Sequence, residues 1–342
     1  MLYSIFRENL KQLIPSSQYS QFAVAFSGGV DSTALLSLAQ QYSKEHEIEL
    51  HAVIVDHQLR KESAQESLNA AKLCLDFGVT KHCILTWQHE GIESNIQALA
   101  RDARYTLISE YCRKHKIDIL LTGHHADDNV ENFFIKLYRG SGIKGLLQHS
   151  VSHIYGITIV RPLFNITKDK LQNYLSSRNI GWIEDESNKS MKYFRNEIRS
   201  HIDTFLKYYH IDKTLFKQRL MTTQKNLQSV YDVFTDVVEK AWSKHVMIFD
   251  DHAIIDDVAS IKYAAVYFDI LDRVLNIIGN KNKIKINNIR GSSISRIIDL
   301  IQDQQDFTRT LHQCIIKKSN NKIFIYHELK NICNKEYVTN YK

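Results

Sequence analysis

Apolar runs and helical repeats alternate along the N-terminal half of the chain. Phe22, Ala23, Val24, Ala25 and Phe26 form five consecutive apolar positions, too short for a helix, and read as a buried parallel strand. A Ser-Gly-Gly turn follows, and from Asp31 apolar residues recur at helical spacing. Residues 49–56, 82–87 and 118–123 predict three more strands. Between them, residues 62–77 place Ala64, Leu68, Ala71 and Leu75 on one helical face and stop at Gly78. Residues 94–114 place Ile96, Leu99, Ala103, Leu107 and Tyr111 on one face, and residues 127–138 predict another helix. Residues 1–14 predict a short amphipathic helix. Strand–helix alternation of this kind implies a parallel sheet covered on both sides, with ligands at the carboxyl ends of the strands.

The pattern changes near residues 207–213. Residues 214–244 predict one long helix, without glycine or proline. Residues 246–256 read as a hairpin, 258–278 as a helix, and 307–316 with 322–327 as a second hairpin. The expected domains are therefore residues 1–213, a helical linker over 214–245, and a smaller α+β domain over 246–342.

Composition narrows the class. The chain has 342 residues, 44% of them hydrophobic, enough for two domains with packed cores. Forty-four basic against 38 acidic residues give a net charge of +6, which suits a polyanionic partner without requiring one. Five cysteines, at 74, 83, 112, 314 and 333, fit no zinc, redox or secreted disulfide spacing. No leader or membrane span is read from the pattern, so a cytoplasmic protein is expected. A homodimer is left open.

The candidate chemistry falls at strand ends. Ser27-Gly28-Gly29-Val30-Asp31-Ser32 joins the first strand to a helix. Glycines let the backbone approach a ligand, and free N–H groups at a helix N-terminus suit a phosphate. The loop lacks the lysine of a Walker motif and the third glycine of a dinucleotide fingerprint. It resembles the pyrophosphate loop of the N-type ATP pyrophosphatases. After the fourth strand comes Thr122-Gly123-His124-His125-Ala126-Asp127-Asp128-Asn129-Val130-Glu131. Asp128 and Glu131 share a helical face and suit a magnesium ion bound to phosphate, while capping also accounts for an Asp-Asp pair. The two histidines fit packing or donation to a developing charge.

Further segments narrow the resemblance. They are Val55-Asp56-His57-Gln58-Leu59-Arg60, Ala100-Arg101-Asp102-Ala103-Arg104-Tyr105, Leu137-Tyr138-Arg139-Gly140-Ser141-Gly142, Arg161-Pro162-Leu163, Gly181-Trp182-Ile183-Glu184-Asp185 and Tyr193-Phe194-Arg195-Asn196-Glu197-Ile198-Arg199. Together they resemble the tRNA(Ile)-lysidine synthetase family over residues 22 to about 200. Gln58 stands where that family usually has glycine, Asn132 where threonine is usual, and Glu186 where proline is common. Long members carry a further C-terminal domain, which this chain is expected to lack.

The resemblance implies a Rossmann-like ATP pyrophosphatase domain that ligates free L-lysine to C2 of cytidine 34 in the CAU anticodon of tRNA(Ile). ATP would be split to AMP and pyrophosphate through an adenylated cytidine. It implies that Ser27, Gly28, Gly29, Val30, Asp31 and Ser32 bind ATP, and that Asp31, Asp128 and Glu131 hold Mg²⁺. Arg101 or Arg104 would offset charge at the α-phosphate, and Glu131 would position and deprotonate the lysine amine. Arg195 and Arg199 would meet tRNA, unless they form a solvated face paired with Glu197. The glycine-rich stretch 140–145 reads as a mobile loop. Arg273, Lys281, Lys283, Lys285, Arg290 and Arg296 would let the C-terminal domain grip tRNA. A tRNA thiolase is disfavoured by the lack of a Cys-x-x-Cys pair, and a binder without turnover by the presence of Asp31, Asp128 and Glu131.

Overall fold

The computed structural model describes residues 1–14, 19–60, 62–89, 95–147, 150–184, 194–281, 291–303 and 306–328. Of the residues singled out above, 185–188, Tyr193, Lys283, Lys285, Arg290 and Cys333 lie outside that set.

The five-residue apolar run lies inside a six-stranded sheet. After helix α1 (Leu2–Leu13), strand β1 (Gln21–Ala25) pairs in parallel with β2 (Glu49–Asp56) on one side and β4 (Ile119–Leu121) on the other. With β3 (His82–Thr86), β5 (Val151–Ile154) and β6 (Ile157–Val160), the strand order is β3-β2-β1-β4-β6-β5. Only β5 runs antiparallel, in a hairpin with β6 that turns at Tyr155 and Gly156. Helices α2 (Val30–His46), α3 (Ser63–Asp76) and α4 (Ile96–Lys114) make the crossovers. α5 (Ala126–Tyr138), the one-turn α6 (Ile143–Leu146) and α7 (Lys168–Ser177) complete the alternation. The expected mobile loop at 140–145 thus contains a helical turn.

Alternate residues of β1 enter opposite cores, as a strand's two-residue period requires. Phe22 and Val24 pack with Phe6 and Leu10 of α1, Leu35 and Leu38 of α2, and Leu171 and Leu175 of α7. Ala23 faces the other way, towards Tyr105, Ile108 and Cys112 of α4. Two helices bury a face other than the expected one. In α3 the buried residues are Ser67, Ala70 and Cys74, while Leu68 and Leu75 are exposed. In α4 they are Ala100, Tyr105, Ile108, Ser109 and Cys112, while Ile96 and Leu99 are exposed. In α3 the small side chains of Ser67, Ala70 and Cys74 face the sheet, whereas in α4 Tyr105 and Ile108 fill the buried face beside Ala100, Ser109 and Cys112. Burial pushes the Cys74 and Cys112 thiols up to about 12, so both stay protonated packing groups.

Gln58, just past β2, has φ 50, in the left-handed region. Its N–H bonds to Asp56 Oδ1 at 2.9 Å, which fixes the turn. A Cβ there costs about 1 kcal/mol, so Gln58→Gly should raise stability by roughly 0.5–1 kcal/mol in chemical denaturation. An unchanged or lower midpoint would show that the side chain compensates for the strain.

The chain divides into two compact units between Leu227 and Gln228, inside helix α9 (Lys213–His245), which follows α8 (Phe194–Tyr208). The second unit has its own antiparallel sheet. Its strands are β7 (Val246–Ile248), β8 (His252–Ile255), β9 (Phe307–Leu311), β10 (Cys314–Ser319) and β11 (Lys322–His327), in the order β7-β8-β11-β10-β9. Helices α10 (Ala264–Lys281) and α11 (Gly291–Gln302) cover it, with Ile270, Val274, Ile294 and Ile298 against Ile255, Ile316 and Ile325. Two expectations change here. Residues 307–316 are not one strand, because His312 and Gln313 turn in the left-handed region between β9 and β10. The helix expected from 258 starts at Ala264, after a 3-10 turn over Val258–Ser260. Among the described residues no helix is long and apolar enough to cross a membrane.

Candidate active site

Strand order reverses between β1 and β4, the place where sheets of this kind bind ligands at the carboxyl ends of the strands. The Ser27–Ser32 turn sits on the β1 side. Ser32 Oγ lies 3.1 Å from Ser27 Oγ, accepts from Ser27 N at 3.2 Å and donates to Gly29 O at 3.0 Å. Thr33 Oγ1 donates to Gly28 O at 2.9 Å. These bonds hold the turn rigid before any ligand arrives. Thr33 N is the first amide of α2 to find a helical acceptor, Gly29 O at 2.9 Å, so the amides before it are available at the positive end of the helix dipole.

The two glycines differ. Gly28 has φ +78, and a Cβ there would lie 2.5 Å from Ile183 Cδ1. Ile183 N also donates to Gly28 O at 2.9 Å, so the Trp182–Ile183 segment closes the back of the turn. Gly29 has ordinary backbone angles, and a Cβ there would meet only Ser27 Oγ, at 3.7 Å. Its outer face is the open cradle.

On the β4 side, Gly123 lets the chain pass close to α2. A Cβ there would lie 3.1 Å from the Asp31 carbonyl carbon and 3.2 Å from Ser32 N. His125 then caps α5, a pattern the sequence hides because histidine is not a usual cap. Its Nδ1 accepts from Asp127 N at 3.2 Å, and Asp128 Oδ2 accepts from His125 N at 3.1 Å. With Nδ1 so used, Nε2 faces Asp31 Oδ1 at 3.4 Å and Asp128 Oδ2 at 3.7 Å. Burial opposes charge on His125, but Asp31, Asp128 and Asp127 outweigh it and raise its pKa. Burial likewise opposes charge on Asp128, but His125 holds that carboxyl below its usual range. Asp128 is therefore ionised at neutral pH beside this imidazole. Asp31 Oδ1 is buried and has no hydrogen bond. The neighbouring His124 is driven down to about 4 by burial, with Arg161, Arg101 and Arg195 adding to the effect, and is neutral.

The sequence-derived residues separate into groups. Asp31 and Asp128 come together. Asp127 sits on the Nδ1 side of the imidazole, with Oδ2 3.6 Å from His125 Nδ1, pairs with the buried Lys217 of α9 and accepts from Lys168 N at 3.0 Å, capping α7. Lys217, which carried no sequence signal, is a packing cation. Glu131 is turned away from the acid pair. Its side chain is 3% exposed, with Oε1 2.6 Å from Arg199 Nε and Oε2 3.0 Å from Arg195 Nε. Arg195 also donates to Asn132 Oδ1 at 2.6 Å. The two arginines thus pair with Glu131 of α5, not with Glu197. Glu131→Ala should cost about 2 kcal/mol, because two half-exposed guanidiniums lose their shared partner. Thermal melting within a degree of the parent would remove the clamp from the stability of this fold.

The candidate arginines of α4 also differ. Arg104 hydrogen-bonds His57 Nε2 through Nε at 3.3 Å and Nη2 at 3.1 Å. Burial and Arg104 drive His57 down to about 4, which keeps the imidazole neutral and able to accept. Arg101 stacks 5.0 Å above the Tyr105 ring and is exposed. Among the described residues no group of three or more His, Cys, Asp or Glu side chains could by itself hold a metal ion. A cation between Asp31 and Asp128 would need ligand oxygens to complete its shell, as magnesium on a polyphosphate does. The unbonded Asp31 Oδ1 and the all-oxygen donor pair fit that use.

Comparison with known proteins agrees with this geometry. Residues 2–205 match the family model of the PP-loop domain. The chain is 37% identical over 334 residues to a tRNA(Ile)-lysidine synthase of Orientia tsutsugamushi, covering 94% of this chain and 73% of that protein. It is 38% identical over 331 residues to one of Rickettsia bellii, covering 96% and 74%. Among solved structures, a U34-tRNA thiolase of Methanococcus maripaludis with its [4Fe-4S] cluster superposes with a TM-score of 0.55 at 20% identity, over 66% of this chain and 78% of that one. That likeness speaks for the fold. A PP-loop turn facing an acid pair at the switch point, and identity running nearly the whole length of the chain, place this protein in the tRNA(Ile)-lysidine synthase family.

Proposed function

We propose that this protein is an ATP-dependent ligase that joins the ε-amine of free L-lysine to C2 of cytidine 34 in the CAU anticodon of tRNA(Ile). The observation that carries the reading is the open Gly29 cradle at the N-terminus of α2, whose first-turn Asp31 meets Asp128 of α5 around His125. The C2 oxygen of the cytidine attacks the α-phosphorus of ATP, and pyrophosphate leaves onto the Gly28–Ser32 amides. The lysine amine then attacks C2, AMP departs with that oxygen, and the amine loses its extra protons.

Each group has a part. The α2 amides and dipole bind the pyrophosphate and stabilise its growing charge. Asp31 and Asp128 would hold Mg²⁺, which when bound would supply neutralisation of phosphate charge. Arg104, oriented by His57, or Arg101 serves the α-phosphate. Glu131 is the sequence-derived choice to orient and deprotonate the lysine amine. Both its oxygens face guanidiniums, so it does this by exchanging one arginine for the amine. Arg195 and Arg199 keep outward surface for tRNA, and the unit from Gln228 onward supplies further backbone contacts.

The test is AMP release by the purified protein with ATP, Mg²⁺, tRNA(Ile) bearing a CAU anticodon, and each amino acid in turn. The expected result is AMP that depends on both the tRNA and lysine, with lysine attached to cytidine 34 by mass spectrometry of the nucleosides. AMP that needs a sulfur donor instead would discard the product and keep the adenylation.

A further inference from the structure

Two aromatic rings stand exposed at the far end of the helix that carries Asp128. Tyr138 closes α5 and is 77% exposed; Phe194 opens α8 and is 39% exposed. Their ring centroids lie 5.6 Å apart with planes inclined at 48°. The pairing follows from the clamp described above. Arg195, the residue after Phe194, is tied to Glu131 and Asn132 of α5, which brings the start of α8 against that helix. Leu137 beside them is exposed as well. Adjacent exposed rings on a folded surface mark a binding face.

The charge along this stretch of chain points to a polyanionic occupant. No acidic residue occurs between Glu131 and Asp169, while Lys136, Arg139, Lys144, Arg161 and Lys168 all fall in that interval. Arg195 and Arg199 each keep 40% of their side-chain surface exposed on the facing helix. Flat apolar rings on a stretch of chain rich in cations suit a single-stranded nucleic acid, whose bases stack while its phosphates find the cations. Ten residues of helix separate Tyr138 from Asp128, about 15 Å at 1.5 Å per residue, so the base on the rings is not the one under modification.

We propose that Tyr138 and Phe194 form a stacking platform for an unpaired anticodon-loop base that neighbours the modified cytidine. Arg139 and the outer faces of Arg195 and Arg199 take the adjacent phosphates. This rests on the tRNA reading given above. The platform fixes how the loop lies on α5, and so helps deliver cytidine 34 to the acid pair.

The experiment compares the full-length protein with Tyr138→Ala, Tyr138→Phe and Phe194→Ala. Binding of tRNA(Ile) is measured by filter retention at several salt concentrations, and ATP binding by calorimetry. Tyr138→Ala should weaken tRNA binding about tenfold or more, since one stacked base is worth about 5- to 150-fold. Tyr138→Phe, which keeps the ring, should bind like the parent. Salt slopes and ATP affinity should not change, because no phosphate contact is removed. Tyr138→Ala binding within twofold of the parent would overturn the platform while the ligase reading stands. So would a Tyr138→Phe defect as large as that of Tyr138→Ala, or a loss of self-association with tRNA binding intact. A parent protein that binds no tRNA would overturn the ligase reading and the platform with it.

Discussion

Asp128→Asn should lower AMP release by about a hundred- to a thousandfold while the protein stays folded, as expected for loss of one fixed electrostatic group at a reacting phosphate. Asparagine keeps an oxygen that can accept from His125 N, so the α5 cap survives. What is lost is one of the two charges beside His125 Nε2. Asp127→Asn, one residue away, should act oppositely. It strips the partner from buried Lys217, which should cost roughly 3 kcal/mol and show as a lower melting temperature. AMP release per folded molecule should stay near the parent's. Parent-like turnover by Asp128→Asn, with its fold verified by circular dichroism, would remove that residue from the site.

A second pair of variants separates the turn's architecture from its binding face. Gly28→Ala places a side chain in the left-handed region and against Ile183, and should destabilise the protein by about 2 kcal/mol or more. Gly29→Val meets no protein atom that resists it and keeps ordinary backbone angles, so its melting temperature should barely move. Its branched side chain fills the cradle, and ATP binding measured by calorimetry should be lost. Full ATP affinity in Gly29→Val would place the phosphates elsewhere.

The parallel sheet and its helices were legible because each strand is an apolar run closed by a polar or glycine-rich turn. β2 falls on residues 49–56 as expected, and Asp31 and Asp128, singled out from their places after strand ends, lie around the same His125 imidazole. Periodicity did not show which helical face meets the sheet. In α3 the leucines carry the stronger hydrophobic signal, yet Ala70 and Cys74 make the contact because only small side chains allow close approach. The β9–β10 turn was missed because His312 and Gln313 are unusual left-handed residues. The two guanidiniums on Glu131 were out of reach for a different reason. Local spacing offered Glu197 as partner, whereas the real one lies on α5, brought near only by tertiary packing.

The close passage of Gly123 over Asp31 bears on when this protein acquires activity during its synthesis. β1 and α2 supply the phosphate turn, but Asp128 arrives only after β4 pairs with β1, and Ile183 closes the back of the turn later still. Such pairing joins segments far apart in the chain and is slow to form. A nascent chain that ends after β3 therefore carries the Ser27–Ser32 turn without Ile183 behind it and without Asp128. On the proposed reading, such a chain should form no AMP until the sheet closes.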